Sequence, residues 1–86
     1  MEIEYSSHFK NSYKKLSVDI QKKAEEAELV FCQNPFSPRL KTHKLHGKLK
    51  DFYSFSIDYK FRIVFKFIKD HDKVLFLDVG DHEVYS

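Results

Sequence analysis

The chain has 86 residues, a net charge of +2 and 33% charged residues, which argues against a membrane-spanning protein. Nine Phe and five Tyr supply the large apolar side chains that a core of this size requires. Cys32 is the single cysteine and the N-terminus shows no signal-peptide pattern, so we expect one cytoplasmic domain spanning residues 1–86.

Two helices are predicted after a short first strand at residues 2–6. Ser6 or Ser7 can cap the first helix and Ser17 the second, because a serine hydroxyl accepts a hydrogen bond from an orphan backbone N–H. The two prolines in NPFSP (residues 34–38) then end the second helix. The apolar residues that recur at helical spacing are Phe9, Tyr13 and Leu16, followed by Ile20, Ala24, Ala27 and Phe31.

The positive charge is concentrated between the second helix and the strands that follow. Residues 39–50 carry five Lys or Arg and no acid, whereas acids outnumber basic residues both before and after this stretch. It contains KTHKLHGKLK (residues 41–50), which also holds two histidines and is predicted to form a loop or an irregular lead-in to a strand. A local basic patch favours nucleic acid as a partner, but a solvated lysine-rich loop has the same composition.

From residue 52 the apolar pattern has period two, which predicts three strands, with a hairpin turn at residues 69–73 and a central strand at 74–80. One face is apolar, while Arg62 and Lys66 lie on an opposite, open polar face. The apolar side chains are Tyr53, Phe55, Ile57, Tyr59, Phe61, Ile63, Phe65 and Phe67. The prediction is an α+β fold, β-α-α-β-β-β, whose helix hairpin packs on one face of a small, largely antiparallel sheet.

Three short motifs occur in order along the chain. They are His43-x-Leu45-x-Gly47, then Phe61-Arg62-Ile63-Val64-Phe65, and finally Gly80-x-His82-x-x-Tyr85. With the predicted order of elements, this set resembles the RelE/ParE superfamily of bacterial toxins, and within it the RelE-like branch that includes the YafQ type. The resemblance covers nearly the whole chain.

The resemblance implies the toxin of a type II toxin–antitoxin system, acting in the cytoplasm of a bacterium or archaeon. RelE-like members are ribosome-dependent endoribonucleases that cut mRNA in the decoding site and need no metal or other cofactor. The 2′-hydroxyl of the RNA attacks the adjacent phosphate and leaves a cyclic phosphate. The implied partners are a cognate antitoxin, in a hetero-oligomer, and the ribosome with its mRNA and 16S rRNA, but no membrane.

This reaction needs a base, positive charge at the phosphate and an acid. The resemblance assigns proton transfer to His82, phosphate neutralisation to Arg62, a further place in the site to His43, and base orientation or proton donation to Tyr85. A guanidinium suits the phosphate because it can hold two oxygens at once. A solvated histidine near a chain end is the alternative for His82.

Several other residues are candidates for holding RNA through charge alone. They are Lys44, His46, Lys48, Lys50 and Lys66. For Arg62, a cross-strand salt bridge to Asp78 or Asp58 is the structural alternative to a phosphate contact.

The chain departs from the YafQ type at three positions. A further histidine of that type aligns with Ser56, and its acid and tryptophan align with Lys60 and Phe61. These departures imply either a different proton relay or a weaker activity.

Other functions compete with the nuclease. A zinc site built from Cys32, His43, His46 and His82 would have one cysteine ligand, and nothing marks an activated thiolate for a Cys–His hydrolase. A ParE-like inhibitor of DNA gyrase without nuclease activity is the main rival. An inactive, antitoxin-binding relic is the third possibility.

Overall fold

The computed structural model describes residues 1–47, 51–68 and 72–81. The elements are β1 (Glu2–Tyr5), α1 (Ser7–Lys14), α2 (Val18–Gln33), a 3₁₀ turn (Pro38–Leu40), β2 (His43–Lys44), β3 (Tyr53–Ser56), β4 (Phe61–Ile68) and β5 (Lys73–Asp81). The 3₁₀ turn and β2 occupy the stretch predicted as a loop or strand lead-in. Within the described ranges, no helix is both long and apolar enough to cross a membrane.

The strands form one sheet in the order β1-β5-β4-β3-β2. β1 pairs with β5 in parallel, and the other three pairs are antiparallel. The predicted α+β fold and largely antiparallel sheet are therefore confirmed. β5 is an interior strand, although β4 rather than β5 lies at the centre.

Serine caps begin both helices, as the sequence predicted. The Ser6 hydroxyl accepts a hydrogen bond from the Phe9 N–H at 2.9 Å, and the Ser17 hydroxyl accepts one from the Ile20 N–H at 3.2 Å. The Ser6 hydroxyl also donates to the Leu77 carbonyl at 3.0 Å, which ties the start of α1 to β5.

Phe31 on α2 lies at the centre of the core, with no exposed surface. Its ring centroid is 4.9 Å from those of Phe55 and Phe65 and 5.4 Å from that of Phe76. The period-two pattern identified this helix-facing side of the sheet correctly, except at Tyr59. That side chain is 88% exposed, because β3 ends at Ser56 and Tyr59 belongs to the turn that follows.

β5 contains a bulge at Leu77. The pairing with β4 passes from Phe76 directly to Asp78, so Leu77 is an extra residue. As a result, Phe76 and Val79 both face the helices although they are three residues apart. Asp78 and Gly80 therefore lie on the opposite side of the sheet.

Asp58 connects the turn between β3 and β4 to α2. One carboxylate oxygen accepts hydrogen bonds from the N–H groups of Lys60 and Phe61 at 2.8 Å each, and the other lies 3.7 Å from Lys23 Nζ. Burial acts to raise the pKa of this carboxyl, but the two backbone N–H groups and Lys23 outweigh it and lower the pKa below its usual value.

Asp58→Asn should lower the free energy of unfolding by about 1 kcal/mol at neutral pH, because the amide keeps one acceptor but loses the charge. The folded-state pKa is the lower one, so the contribution of the charge is present above the unfolded pKa and is lost as the pH falls through the folded pKa. Urea unfolding across this range measures the difference. Asp51→Asn, at an exposed turn residue, is the control. A loss of unfolding free energy in Asp58→Asn that does not depend on pH would contradict the prediction.

Candidate nucleic-acid interface

The side of the sheet opposite the helices carries most of the polar side chains of the central strands. We call this surface the polar face. Because residues directly opposite each other in a sheet point to the same side, the register defines its members. They are Ser54 and Ser56 on β3, Arg62, Val64 and Lys66 on β4, and Leu75, Asp78 and Gly80 on β5.

Arg62 lies in the middle of a row that crosses three strands, with Ser56 on one side and Gly80 on the other. Its Nη1 donates a hydrogen bond to the Ser56 hydroxyl at 2.6 Å, so the guanidinium is directed towards β3; the residue as a whole is half-buried. The alternation predicted that Arg62 points away from the Phe side, and the register agrees.

The carboxylates considered as salt-bridge partners of Arg62 have other partners. An oxygen of Asp78 lies 3.0 Å from His8 Nε2 at the start of α1, and Asp58 forms an ion pair with Lys23 on α2. The hydrogen bond to Ser56 orients the guanidinium without neutralising it.

His43 lies on β2, opposite Ser54, and shares the polar face with Arg62. Its strand is two strand spacings from that of Arg62, or roughly 10 Å across the sheet. Nδ1 of His43 is 3.1 Å from the Lys41 carbonyl oxygen. A carbonyl oxygen only accepts, so this contact places the proton on Nδ1 and leaves the Nε2 lone pair of the neutral ring available as a base.

The backbone around Lys41 sets the position of that carbonyl group. Lys41 has φ 52° and ψ 40°, a left-handed conformation that is uncommon for a residue other than glycine. Its N–H donates to the Pro38 carbonyl and so closes the 3₁₀ turn. The same residue thus ends the turn and holds the histidine ring.

The polar face is not uniformly open. Ser54 is 1% exposed and Val64 is 2% exposed, whereas Arg62 in the next row is half-buried. Among the described residues, the Ser54 hydroxyl has no hydrogen-bond partner. The expectation of an open polar surface is therefore wrong at Ser54 and Val64, which are buried, whereas the row of Arg62 is partly exposed.

The other predicted RNA-binding residues are dispersed. Lys66 is on the polar face, opposite Leu75. Lys44 is opposite Tyr53 and so lies on the helix side of β2, away from Arg62. His46 is exposed just after β2. Lys48, Lys50, His82 and Tyr85 lie outside the described residues.

The zinc alternative has four candidate ligands. Within residues 1–47, 51–68 and 72–81, no group of three His, Cys, Asp or Glu side chains is placed to hold a metal ion. Cys32 is exposed near the end of α2, and His82 is outside the described ranges.

No protein-family model and no curated protein matches the chain. Solved structures do match. YafQ from E. coli superposes with a TM-score of 0.78 at 20% identity, over 96% of this chain and 94% of that one. A YoeB/ParE toxin from Agrobacterium tumefaciens gives a TM-score of 0.80 at 15% identity, over 95% and 99% of the two chains.

A third neighbour is the RelBE2 toxin–antitoxin complex from Mycobacterium tuberculosis, with a TM-score of 0.78 and 17% identity over 93% of this chain and 95% of that one. The chain therefore shares its fold with these toxins. Its structural neighbours include the YafQ type, which the sequence motifs indicated.

Two members of the Arg62 row had no role in the sequence-based prediction. Ser56 was noted only as a departure from the YafQ type, and Gly80 only as part of a motif. Gly80 did carry a signal, because glycine is disfavoured inside a strand as apolar as residues 74–80.

Proposed function

We propose that this protein is the toxin of a type II toxin–antitoxin system and cleaves mRNA on the ribosome in the cytoplasm of a bacterium or archaeon. The observation that carries the proposal is the oriented guanidinium of Arg62 on the polar face of a RelE-like fold. The chemistry is transfer of the scissile phosphate to the adjacent 2′-hydroxyl of the RNA.

Arg62 neutralises the charge that builds up on the phosphate in the transition state. Its planar guanidinium has five N–H donors, and the hydrogen bond to Ser56 uses one of them. Since Ser56 already restricts the rotamer, less side-chain entropy is lost when a phosphate binds. A preorganised cation of this kind stabilises the transition state more than a mobile lysine would.

His43 is proposed to contact the RNA to one side of the scissile phosphate, because its strand is two strand spacings from that of Arg62 and three from that of Gly80, or roughly 10 and 14 Å. The Lys41 carbonyl holds the proton on Nδ1 and leaves Nε2 to accept a hydrogen bond from the RNA. His82 is proposed to protonate the leaving 5′-oxygen, with Tyr85 as the second candidate.

The basic residues are proposed to bind the backbone of mRNA or 16S rRNA. They are Lys44, His46, Lys48, Lys50 and Lys66.

A cognate antitoxin is the proposed protein partner, supported by the RelBE2 neighbour, which is a toxin–antitoxin complex. The chain also has an apolar groove of about 380 Å³ between α1 and α2. Tyr5, Phe9 and Tyr13 line it, with Lys10 and Lys14 along one side and Glu25 and Glu28 along the other. This arrangement suits an amphipathic segment with acids facing α1 and basic residues facing α2.

Induced expression followed by primer extension on a reporter mRNA tests the function. Cuts in phase with the codons, present only while the message is translated, are the expected result. Co-expression of the product of an adjacent reading frame should prevent the cuts, restore growth and slow amide exchange in α1 and α2.

The same experiment separates the rival functions. DNA breakage with intact mRNA would replace the proposal with a gyrase inhibitor. Intact mRNA and intact DNA, together with binding of the antitoxin, would identify an inactive relic.

A further inference from the structure

Gly80 lies inside β5, where a residue without a side chain weakens the strand. Four physical features can require glycine at such a position: a left-handed backbone, a bulge, close approach of a neighbouring chain, or close approach of a ligand. Each of these can be compared with the structure.

The first three reasons do not apply among the described residues. The backbone of Gly80 is outside the left-handed region, unlike that of Gly47. The bulge is at Leu77, three residues earlier. A Cβ added to Gly80 would meet no atom of the described residues within 4 Å. Neither local conformation nor packing among these residues therefore requires glycine.

The position of Gly80 points to the fourth reason. It is directly opposite Arg62, on an adjacent strand about 4.8 Å away. The Arg62 guanidinium is directed to the other side of the row, towards Ser56. The backbone of Gly80 is thus left uncovered beside Arg62, the one cation in this row.

The charges around Gly80 also affect which ligand can bind there. Asp78 is two residues away on the same face and would repel an anion, but one of its oxygens lies 3.0 Å from His8 Nε2 and the other accepts the Val79 N–H at 2.8 Å. Lys66, further along β4, adds a second cation to the face. An anion that contacts Arg62 is therefore best accommodated over Gly80, on the near side of Asp78.

We infer that Gly80 forms part of the binding site for the substrate phosphate: a phosphodiester of RNA lies against the backbone of Gly80 while Arg62 holds the phosphate oxygens. The inference rests on the proposed function and adds a specificity-determining residue to it. Any side chain at position 80 occupies the space of the phosphate, so glycine here serves binding rather than folding.

Gly80→Val should separate folding from function. A side chain at a compatible backbone position reduces the entropy of the unfolded chain, so Tm should rise by roughly 2–6 °C or stay unchanged. Cleavage of translated mRNA should fall by about 100-fold, because the phosphate is displaced from Arg62. Gly80→Ala should give a smaller loss of cleavage.

Leu29→Ala is the control, since Leu29 is 68% exposed on α2, on the side of the sheet away from the polar face. It should cleave at the wild-type rate. Binding is measured separately by NMR titration with a 2′-O-methyl dinucleotide, which cannot be cleaved. The Gly80 amide of the wild type should shift saturably, and Gly80→Val should lose the saturable shift at Arg62.

The outcomes distinguish this inference from the function on which it rests. Normal cleavage by Gly80→Val, with cleavage lost in Arg62→Ala, would refute phosphate binding at Gly80 and leave the nuclease proposal intact. Absence of a saturable shift in the wild type would also refute phosphate binding at Gly80. Saturable binding at Gly80 in a protein that never cuts mRNA would support the phosphate site and refute the nuclease proposal.

Discussion

Arg62→Ala should abolish growth arrest and lower mRNA cleavage by about 100- to 1,000-fold, because the transition state loses its principal positive charge. Arg62 is half-buried and its hydrogen-bond partner is the Ser56 hydroxyl, so truncation leaves no unpaired charge in the core. The variant should therefore fold, bind the antitoxin and unfold within a few degrees of the wild type. Primer extension measures the cleavage, and co-purification with the antitoxin verifies the fold.

Two further substitutions distinguish charge from geometry at this position. Arg62→Lys keeps the charge but not the planar fork, so it should recover only part of the activity. Ser56→Ala keeps the guanidinium but removes the group that orients it, and should cost about tenfold or less. Full toxicity of Arg62→Ala would show that the site assignment is wrong.

Phe31→Ala should lower the free energy of unfolding by about 3–5 kcal/mol. The side chain is fully buried, and truncation removes close ring contacts with Phe55, Phe65 and Phe76 as well as creating a cavity. A chain of 86 residues has a total stability of roughly 4–13 kcal/mol. This single change therefore removes a large part of the stability, and urea denaturation measures it.

Phe36→Ala is the matched control for Phe31→Ala. The Phe36 ring also packs against two aromatic rings, those of Tyr53 and Phe67, but the residue is 51% exposed. Its truncation should cost about 1 kcal/mol, because most of the lost area was already in water. Equal losses for the two variants would contradict the assignment of Phe31 to the centre of the core.

Features that depend on neighbouring residues were predictable from the sequence. Ser6 and Ser17 cap the helices because a hydroxyl reaches an N–H only three residues away. The alternation around Arg62 gave its face correctly, since β4 pairs along its whole length. The motifs identified a fold that the structural neighbours confirm.

Features that depend on distant partners were not predictable. The hydrogen bond between Arg62 and Ser56 follows from the register of two strands, and the pairing of His8 with Asp78 from the way α1 packs beside β5. The carbonyl that holds His43 depends on a left-handed Lys41, a conformation for which lysine gives no signal. The roles assigned to His82 and Tyr85 stay predictions.

The bulge at Leu77 has a consequence for how this chain is compared with others. Because Leu77 is an extra residue, an alignment of β5 with an unbulged strand needs a gap there, or Gly80 is matched to a core position. Deletion of Leu77 would give a regular strand in which Val79 still faces inward and Gly80 outward, but it would remove the carbonyl group that accepts the Ser6 hydroxyl hydrogen bond. The extra residue thus lets one strand place Phe76 and Val79 in the core and still present Asp78 and Gly80 on the polar face.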